Sequence, residues 1–351
     1  MLDDRRQPAE WACHEAVWVG WPSAGDLWGD GLGPARGEVE ALIRAIVAPG
    51  EAGLEGERVE LLVRGEEARS AAEAMRSRLP TPAAVRLHEA PIGDIWLRDT
   101  GPVFTTDGAG ALAASAFRFN GWGGKYRLPD DDRIAGVVAE LAGARLSRFD
   151  GLVAEGGAFE TDGEGTVITT RQCLLNRNRN PGLSEKDVEA VLREAIGADK
   201  VIWLDKGLAG DHTDGHIDNL ARFIAPGKIV CMHPNADNDP NQKLLRAIAR
   251  TLEITTDAAG RRLEVIEIPS PGRALIDGAP APASHMNFYI SNHALIMPSY
   301  AMLTDDGDAP AEALGVLERV APRAHLFSLE SSRLLAGGGS FHCITQQQPA
   351  V

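Results

Sequence analysis

Short β-forming runs alternate with amphipathic helical segments along the whole of this chain, and that alternation confines it to an α/β architecture. Runs at 16–21 (AVWVGW), 58–63, 165–170, 200–204, 228–232, 287–290 and 294–298 read as strands. Between them, 38–48, 66–79, 131–143, 185–197 and 241–252 carry apolar residues at helical spacing. Ser184 followed by Asp187 predicts a capping box at the start of the fourth of these helices. Helical segments begin near 66, 131, 184, 238 and 310, a recurrence that suits repeated strand–helix modules and also plain α/β alternation. Pro/Gly-rich stretches at 22–37, 48–57 and 269–284 read as loops, and none has the length or polarity of an interdomain linker.

Charge narrows the partners. With 35 basic and 50 acidic side chains the net charge is −15, which disfavours nucleic acid and anionic lipid and favours a cationic small molecule. The four cysteines (Cys13, Cys173, Cys231, Cys343) are far apart and form no CxxC pair, so no disulfide framework is expected. The first twenty residues lack an apolar signal-peptide core, and no run approaches the ~18 apolar residues of a membrane span. A cytoplasmic protein that uses no membrane is the expectation.

Four polar, glycine-interrupted segments could carry chemistry. In LLAGGGSFHCITQQQP, Gly337 to Gly339 permit close backbone approach beside Cys343. A buried structural cysteine is the plainer reading, but three glycines and three glutamines are unusual company for a core thiol. In DHTDGHID, His216 and Asp218 would face the same side of an extended strand. His212 and His216 have i, i+4 spacing and could hold a metal, but only on a helix, which Thr213, Asp214 and Gly215 oppose. In DIWLRDTGPVF (94–104), read as extended, Trp96 beside Asp94 and Asp99 offers a flat cation one π face and in-plane acceptors. An internal Arg98–carboxylate pair accounts for that segment equally well. Glu155 precedes two glycines and a DGEG hairpin signal, and Asn120 and Trp122 sit in a glycine-rich loop; singly, each is unremarkable.

Taken in order, WP (21–22), DIWLRDTGPVF, FNGWGG, EGGAFETDGEGT, CLLNRNRNP (173–181), DGHIDN (214–219), MNFYI (286–290) and GGGSFHCITQQQP resemble the agmatine deiminase and bacterial-type peptidylarginine deiminase family over nearly the whole chain. The resemblance implies the guanidine-modifying, or pentein, α/β-propeller: a single domain over 1–351 with five ββαβ modules around a pseudo-fivefold axis. It implies Cys343 as nucleophile, His216 as general acid–base, Asp99 and Asp218 as carboxylates gripping a guanidinium, and Glu155 as the group orienting His216. Trp96, Asp94, Trp122, Asn120, His212, Asp214 and Gly339 would contact substrate. No metal or organic cofactor is expected, the partner is a small guanidinium cation, and a homodimer is the expected assembly. Agmatine-specific members of the family carry an acid two residues before the DGH triplet, where this chain has His212. Free, modified or peptidyl arginine is therefore the alternative substrate, and a metal-dependent hydrolase built on His212 and His216 the more remote one.

Overall fold

The computed structural model describes residues 5–50, 56–304, 307–321 and 325–351. The part of the 48–57 loop at 51–55 lies outside the described residues. Five sheets repeat one pattern: a central strand with an antiparallel neighbour on one side and a parallel neighbour on the other. In the first sheet β1 (His14–Gly20) runs parallel to β2 (Val59–Val63), which pairs with β3 (Val85–Glu89). Then come β4 (Val103–Thr106), β5 (Leu112–Arg118) and β6 (Arg145–Val153); β7 (Phe159–Thr161), β8 (Thr166–Thr170) and β9 (Lys200–Leu204); and β10 (Ala221–Ala225), β11 (Lys228–His233) and β12 (Glu264–Pro269). A hairpin of β13 (Ala274–Ile276) and β14 (Ala279–Ala281) precedes β15 (Tyr289–Ile290), β16 (Ala294–Ser299) and β17 (His325–Glu330). The last strand, β18 (Thr345–Pro349), returns to pair antiparallel with β1, so the two chain ends complete one sheet.

A helix bridges each central strand to its parallel neighbour, as a crossover requires. These helices are Leu32–Ile46, Ile134–Leu141, Glu185–Ile196, Gln242–Glu253 and Ala309–Val320. Each forms because one stripe is apolar: Gln242–Glu253 buries Leu245, Ile248, Ala249 and Leu252, spaced three and four apart. The expected capping box is present, with Ser184 and Asp187 exchanging bonds and Gly197 closing the helix at φ 74°. No helix among the described residues is long and apolar enough to cross a membrane.

Two stretches read as loops are ordered elements. The helix Leu32–Ile46 begins inside 22–37 because Pro34 falls in its first turn, where a missing N–H costs nothing, and because Ala35, Val39, Leu42 and Ile43 bury one face. The 269–284 stretch holds the β13–β14 hairpin, whose turn is Asp277 (φ 52°) and Gly278 (φ 78°), the left-handed pair that a tight hairpin favours. Conversely, 94–104 is not extended throughout: Leu97–Thr100 form one helical turn.

One regularity positions the site. The connection into the antiparallel strand of each sheet delivers a polar residue to the same region. Asp99 lies four residues before β4, Glu155 four before β7, Asp218 three before β10, Asn287 two before β15 and Cys343 two before β18.

Candidate active site

A pocket of about 590 Å³ ends on Cys343 and Asp99, with Trp96 and Trp122 as walls. Glycines let the walls close in. A Cβ on Gly339 would stand 2.7 Å from the Trp96 ring and 3.1 Å from Cys343 Sγ; one on Gly157 would stand 2.6 Å from His216 Nδ1, 2.9 Å from Asp99 Oδ1 and 3.1 Å from Asp218 Oδ2. That second point shows how tightly the imidazole and the two carboxylates converge. Asp218 Oδ2 is in turn 3.5 Å from the sulfur. Thiol, imidazole and acids, drawn from four separate sheets, therefore share one buried centre.

Each group is held from behind. Asp99 accepts from Trp122 Nε1 (2.8 Å) and Gly157 N (3.0 Å). Trp122 reaches it from a left-handed backbone conformation (φ 51°). Both Glu155 oxygens accept from Arg179 Nε at 2.9 Å, and one lies 3.7 Å from His216 Nε2. Asp99 Oδ1 is 3.8 Å from the other ring nitrogen, and neither imidazole nitrogen has a hydrogen-bond partner among the described residues. His342 lies between two carboxylates, Nδ1 at 2.9 Å from Asp218 Oδ2 and Nε2 at 2.9 Å from Glu10 Oε2. Asn287 donates Nδ2 to Cys343 Sγ at 3.1 Å.

The electrostatics follow from burial plus neighbours. Burial pushes the Cys343 thiol well up, and Asp218 and Asp99 add to that. Burial alone would lower His216, but Asp99, Cys173 and Glu155 outweigh it and hold the imidazole well above its ordinary value. Asp99 is raised, chiefly by burial and then by Asp218 and Glu155 against the pull of His216. For Asp218, burial is overcome by the bond and charge of His342, so its carboxyl stays low; for Glu155 the same is done by His216 and Arg179. These neighbours thus favour a neutral thiol beside a charged imidazole. A cation placed among the carboxylates would draw the thiol's pKa back down.

Cys343, Asp99, Trp96, Trp122, Asp94 and His212 line the pocket; His216, Asp218 and Glu155 converge just behind its buried end, and Gly339 packs against Trp96 and Cys343. Asp94 accepts from the indoles of Trp28 (2.9 Å) and Trp96 (2.8 Å), and His212 Nε2 meets Gly338 O at 3.1 Å. Two expected contact residues sit behind the wall. Asn120 caps the turn at Gly123 and donates to Asn178 O, and Asp214 accepts from Arg179, Asn178 and Lys125; neither lines the pocket. Their polar atoms are used to brace Trp122 and Arg179 instead. The 211–218 segment is not an extended strand. Asp214 (φ 67°) and Gly215 (φ 93°) turn it, and Ile217–Asn219 form a 3-10 turn that still delivers His216 and Asp218 together. With no helix there, His212 and His216 do not share a face. Among the described residues Glu155, Cys173 and His216 bring donor atoms within 4.8 Å of one another, but both Glu155 oxygens already serve Arg179.

Sequence reading assigned nothing to Arg179, Asn287, Glu10 or His342. Arg179, Asn287 and His342 lie in segments singled out as motifs, CLLNRNRNP, MNFYI and GGGSFHCITQQQP, so a signal was present without a role. Arg98 is the structural residue of its motif, bonding Gln347 (2.7 Å) and lying 3.6 Å from Glu10, while Asp99 beside it faces the pocket. Neither Arg118 nor Arg127 lines the pocket; Arg333 does.

Fold and site together define an α/β protein with a thiol–imidazole–carboxylate centre at the buried end of a pocket. The chain belongs to the Porphyromonas-type peptidyl-arginine deiminase family, whose sequence model matches residues 6–349. It is 38% identical to the agmatine deiminase of Ectopseudomonas mendocina, across 99% of this chain and 96% of that one. The structure of the Enterococcus faecalis agmatine deiminase superposes with a TM-score of 0.88 at 31% identity, covering 99% of this chain and 96% of the other. A Cys→Ser variant of the C. jejuni agmatine deiminase, solved with substrate bound, superposes at 0.85 with 25% identity, over 99% and 96% of the two chains.

Proposed function

We propose that this chain is an agmatine deiminase, hydrolysing the guanidinium of agmatine to N-carbamoylputrescine and ammonia, with Cys343 as nucleophile. The observation that carries the reading is the convergence of a thiol, an imidazole and three carboxylates on one buried centre open to a pocket. A guanidinium carbon is a poor electrophile because its charge is delocalised. Asp99 and Asp218 align the cation in its plane and offset the cost of burying it. The same cation offsets the carboxylates that hold the thiol neutral, so ionisation of Cys343 is coupled to substrate binding.

Thiolate adds to the guanidinium carbon, forming a C–S bond and a tetrahedral adduct. Protonated His216 gives its proton to one nitrogen, the C–N bond breaks and ammonia leaves. The neutral imidazole then takes a proton from water as its oxygen attacks the thiouronium carbon, and collapse breaks the C–S bond to release the ureido product. Glu155, anchored by Arg179, holds the imidazole's charge during the cycle. That a relative's Cys→Ser variant was captured with substrate bound is the behaviour expected where a thiol consumes the substrate. The repeated sheet pattern, closed by β18 on β1, supports an arrangement of five ββαβ modules about a pseudo-fivefold axis.

A second reading rests on one observation. Arg333, exposed and bearing a permanent positive charge, lines the pocket, and position 212 offers an imidazole rather than an acid. A substrate whose tail ends in a carboxylate, such as free or C-terminal arginine, would find a partner there. Ammonia release from agmatine, arginine and a C-terminal arginine peptide separates the two. Agmatine should lead by a wide margin, and Cys343→Ala should release none from any of them. Preference for arginine would overturn the agmatine assignment, and an active Cys343→Ala enzyme would overturn the mechanism.

A further inference from the structure

We infer that Asn287 is a catalytic residue: its side-chain amide is the dedicated hydrogen-bond donor to the Cys343 sulfur and stabilises the thiolate. The inference rests on Cys343 being the nucleophile, as proposed above.

The amide's orientation is decided by its other partners. Asn287 Oδ1 accepts from two backbone amides, His342 N (3.0 Å) and Cys343 N (3.3 Å). Backbone N–H groups only donate, so the atom facing them must be the oxygen. Nδ2 is thereby turned toward Cys343 Sγ at 3.1 Å, with its second hydrogen on Asn219 Oδ1 at 3.0 Å. Burial to 1% exposure leaves no room for the amide to flip out. The sulfur therefore faces a permanent donor, and a donor favours the charged acceptor over the neutral thiol.

The sulfur's other surroundings make such a donor necessary. The charged side chains acting directly on it are the carboxylates of Asp218 and Asp99, and both disfavour a second negative charge. His342 is turned away from the sulfur, onto Asp218 and Glu10, and His216 faces Asp99 and Glu155. Asn287 lowers the thiol's pKa, as does a backbone bond involving Ser340.

Topology supports the assignment independently. Asn287 precedes β15 by two residues, and the corresponding connections into β4, β7, β10 and β18 carry Asp99, Glu155, Asp218 and Cys343. The fourth such connection in chain order would otherwise contribute nothing to the centre.

Asn287→Asp removes the donor and adds a carboxylate's charge beside the sulfur, and both changes disfavour the thiolate. It is isosteric and keeps an oxygen for both backbone amides, but replaces the group facing sulfur with an acceptor. The pH dependence of Cys343 alkylation by iodoacetamide, in enzyme without substrate, reads the thiolate. The variant should alkylate on the order of 10- to 100-fold more slowly near neutral pH, with its profile displaced upward. A folded variant that melts like wild type and retains the wild-type alkylation profile overturns the inference. Should the variant not fold, wild-type protein labelled with 15N-asparagine answers the same question. One side-chain NH2 pair should move as the thiol titrates and stand still in Cys343→Ser; the absence of any such pair refutes the assignment. An inactive Cys343→Ala enzyme combined with normal alkylation of Asn287→Asp would sink this inference and leave the proposed function standing.

Discussion

The two ends of the pocket are built on opposite principles. At the buried end the charges behind the reacting groups are paired: Glu155 with Arg179, Asp218 and Glu10 with His342, and Glu10 also with Arg222 at 2.7 Å. At the exposed end stand Leu27 and Tyr126, each 49% exposed, the side chain of Arg333, and the β13–β14 hairpin. Fixed dipoles and paired charges hold reacting groups in place without reorganisation, which is what the chemical step needs. Exposed apolar and cationic side chains at the rim have only to select what enters. Under the proposed function, reaction and specificity would be carried by different parts of this chain and could change separately.

The comparison breaks most visibly at Arg179. Its side chain is fully buried and also reaches Asp214 (2.6 Å) and Thr213 O (2.8 Å). Arg179→Met would leave Glu155 as a buried carboxylate facing only His216, a loss of about 3–5 kcal/mol. Chemical denaturation should show it, and a variant as stable as wild type would mean the buried end does not depend on its ion pairs.

Asp131, which holds the backbone next to Asp94 of the pocket wall, sharpens the comparison by pH. Its Oδ1 accepts from Gly93 N at 2.8 Å, its other oxygen is buried with no partner among the described residues, and burial raises its pKa to about 7. A carboxyl raised on folding keeps its proton in the folded state after the unfolded chain has lost it. Stability therefore falls as pH rises from about 4 to about 7, and the full loss is present above that window. Asp131→Asn removes the titration, so its Tm relative to wild type should rise by a few degrees between about pH 5 and about pH 8. An unchanged difference across that range would show that Asp131 is not the titrating group.

The smallest effect belongs to the rim. Arg333→Glu should leave stability within about 0.5 kcal/mol, as exposed substitutions do. It should raise kcat/KM for agmatine several-fold and lower it for a carboxylate-tailed guanidine, through KM rather than kcat. Equal effects on both substrates would remove Arg333 from any role in specificity.

Much of the fold was legible because its signals are local. The apolar periodicity of 242–253, the Ser184 box and the DGEG turn each depend on residues within a few positions of one another. Errors came where tertiary burial overrode local preference, as in the glycine-rich start of Leu32–Ile46. At the site, Cys343, His216 and the acids could be named from motifs. The two acids of the DGHIDN motif that serve differently, Asp214 and Asp218, could not be told apart by type, because one turns toward Arg179 and the other toward the sulfur.

Alternating strands and helices, an acidic surface charge and a set of chemically competent residue types were properties of the amino-acid order alone. Which of those residues meet was decided only by the folded chain. Glu155 and Arg179 are 24 positions apart, Asn287 and Cys343 56, Asp218 and His342 124, and Glu10 and His342 332. Ion pairs and buried hydrogen bonds require approach to about 3 Å, and no sequence pattern encodes that approach across such separations. Repeated sheets, each delivering one polar residue from the same connection, supply it.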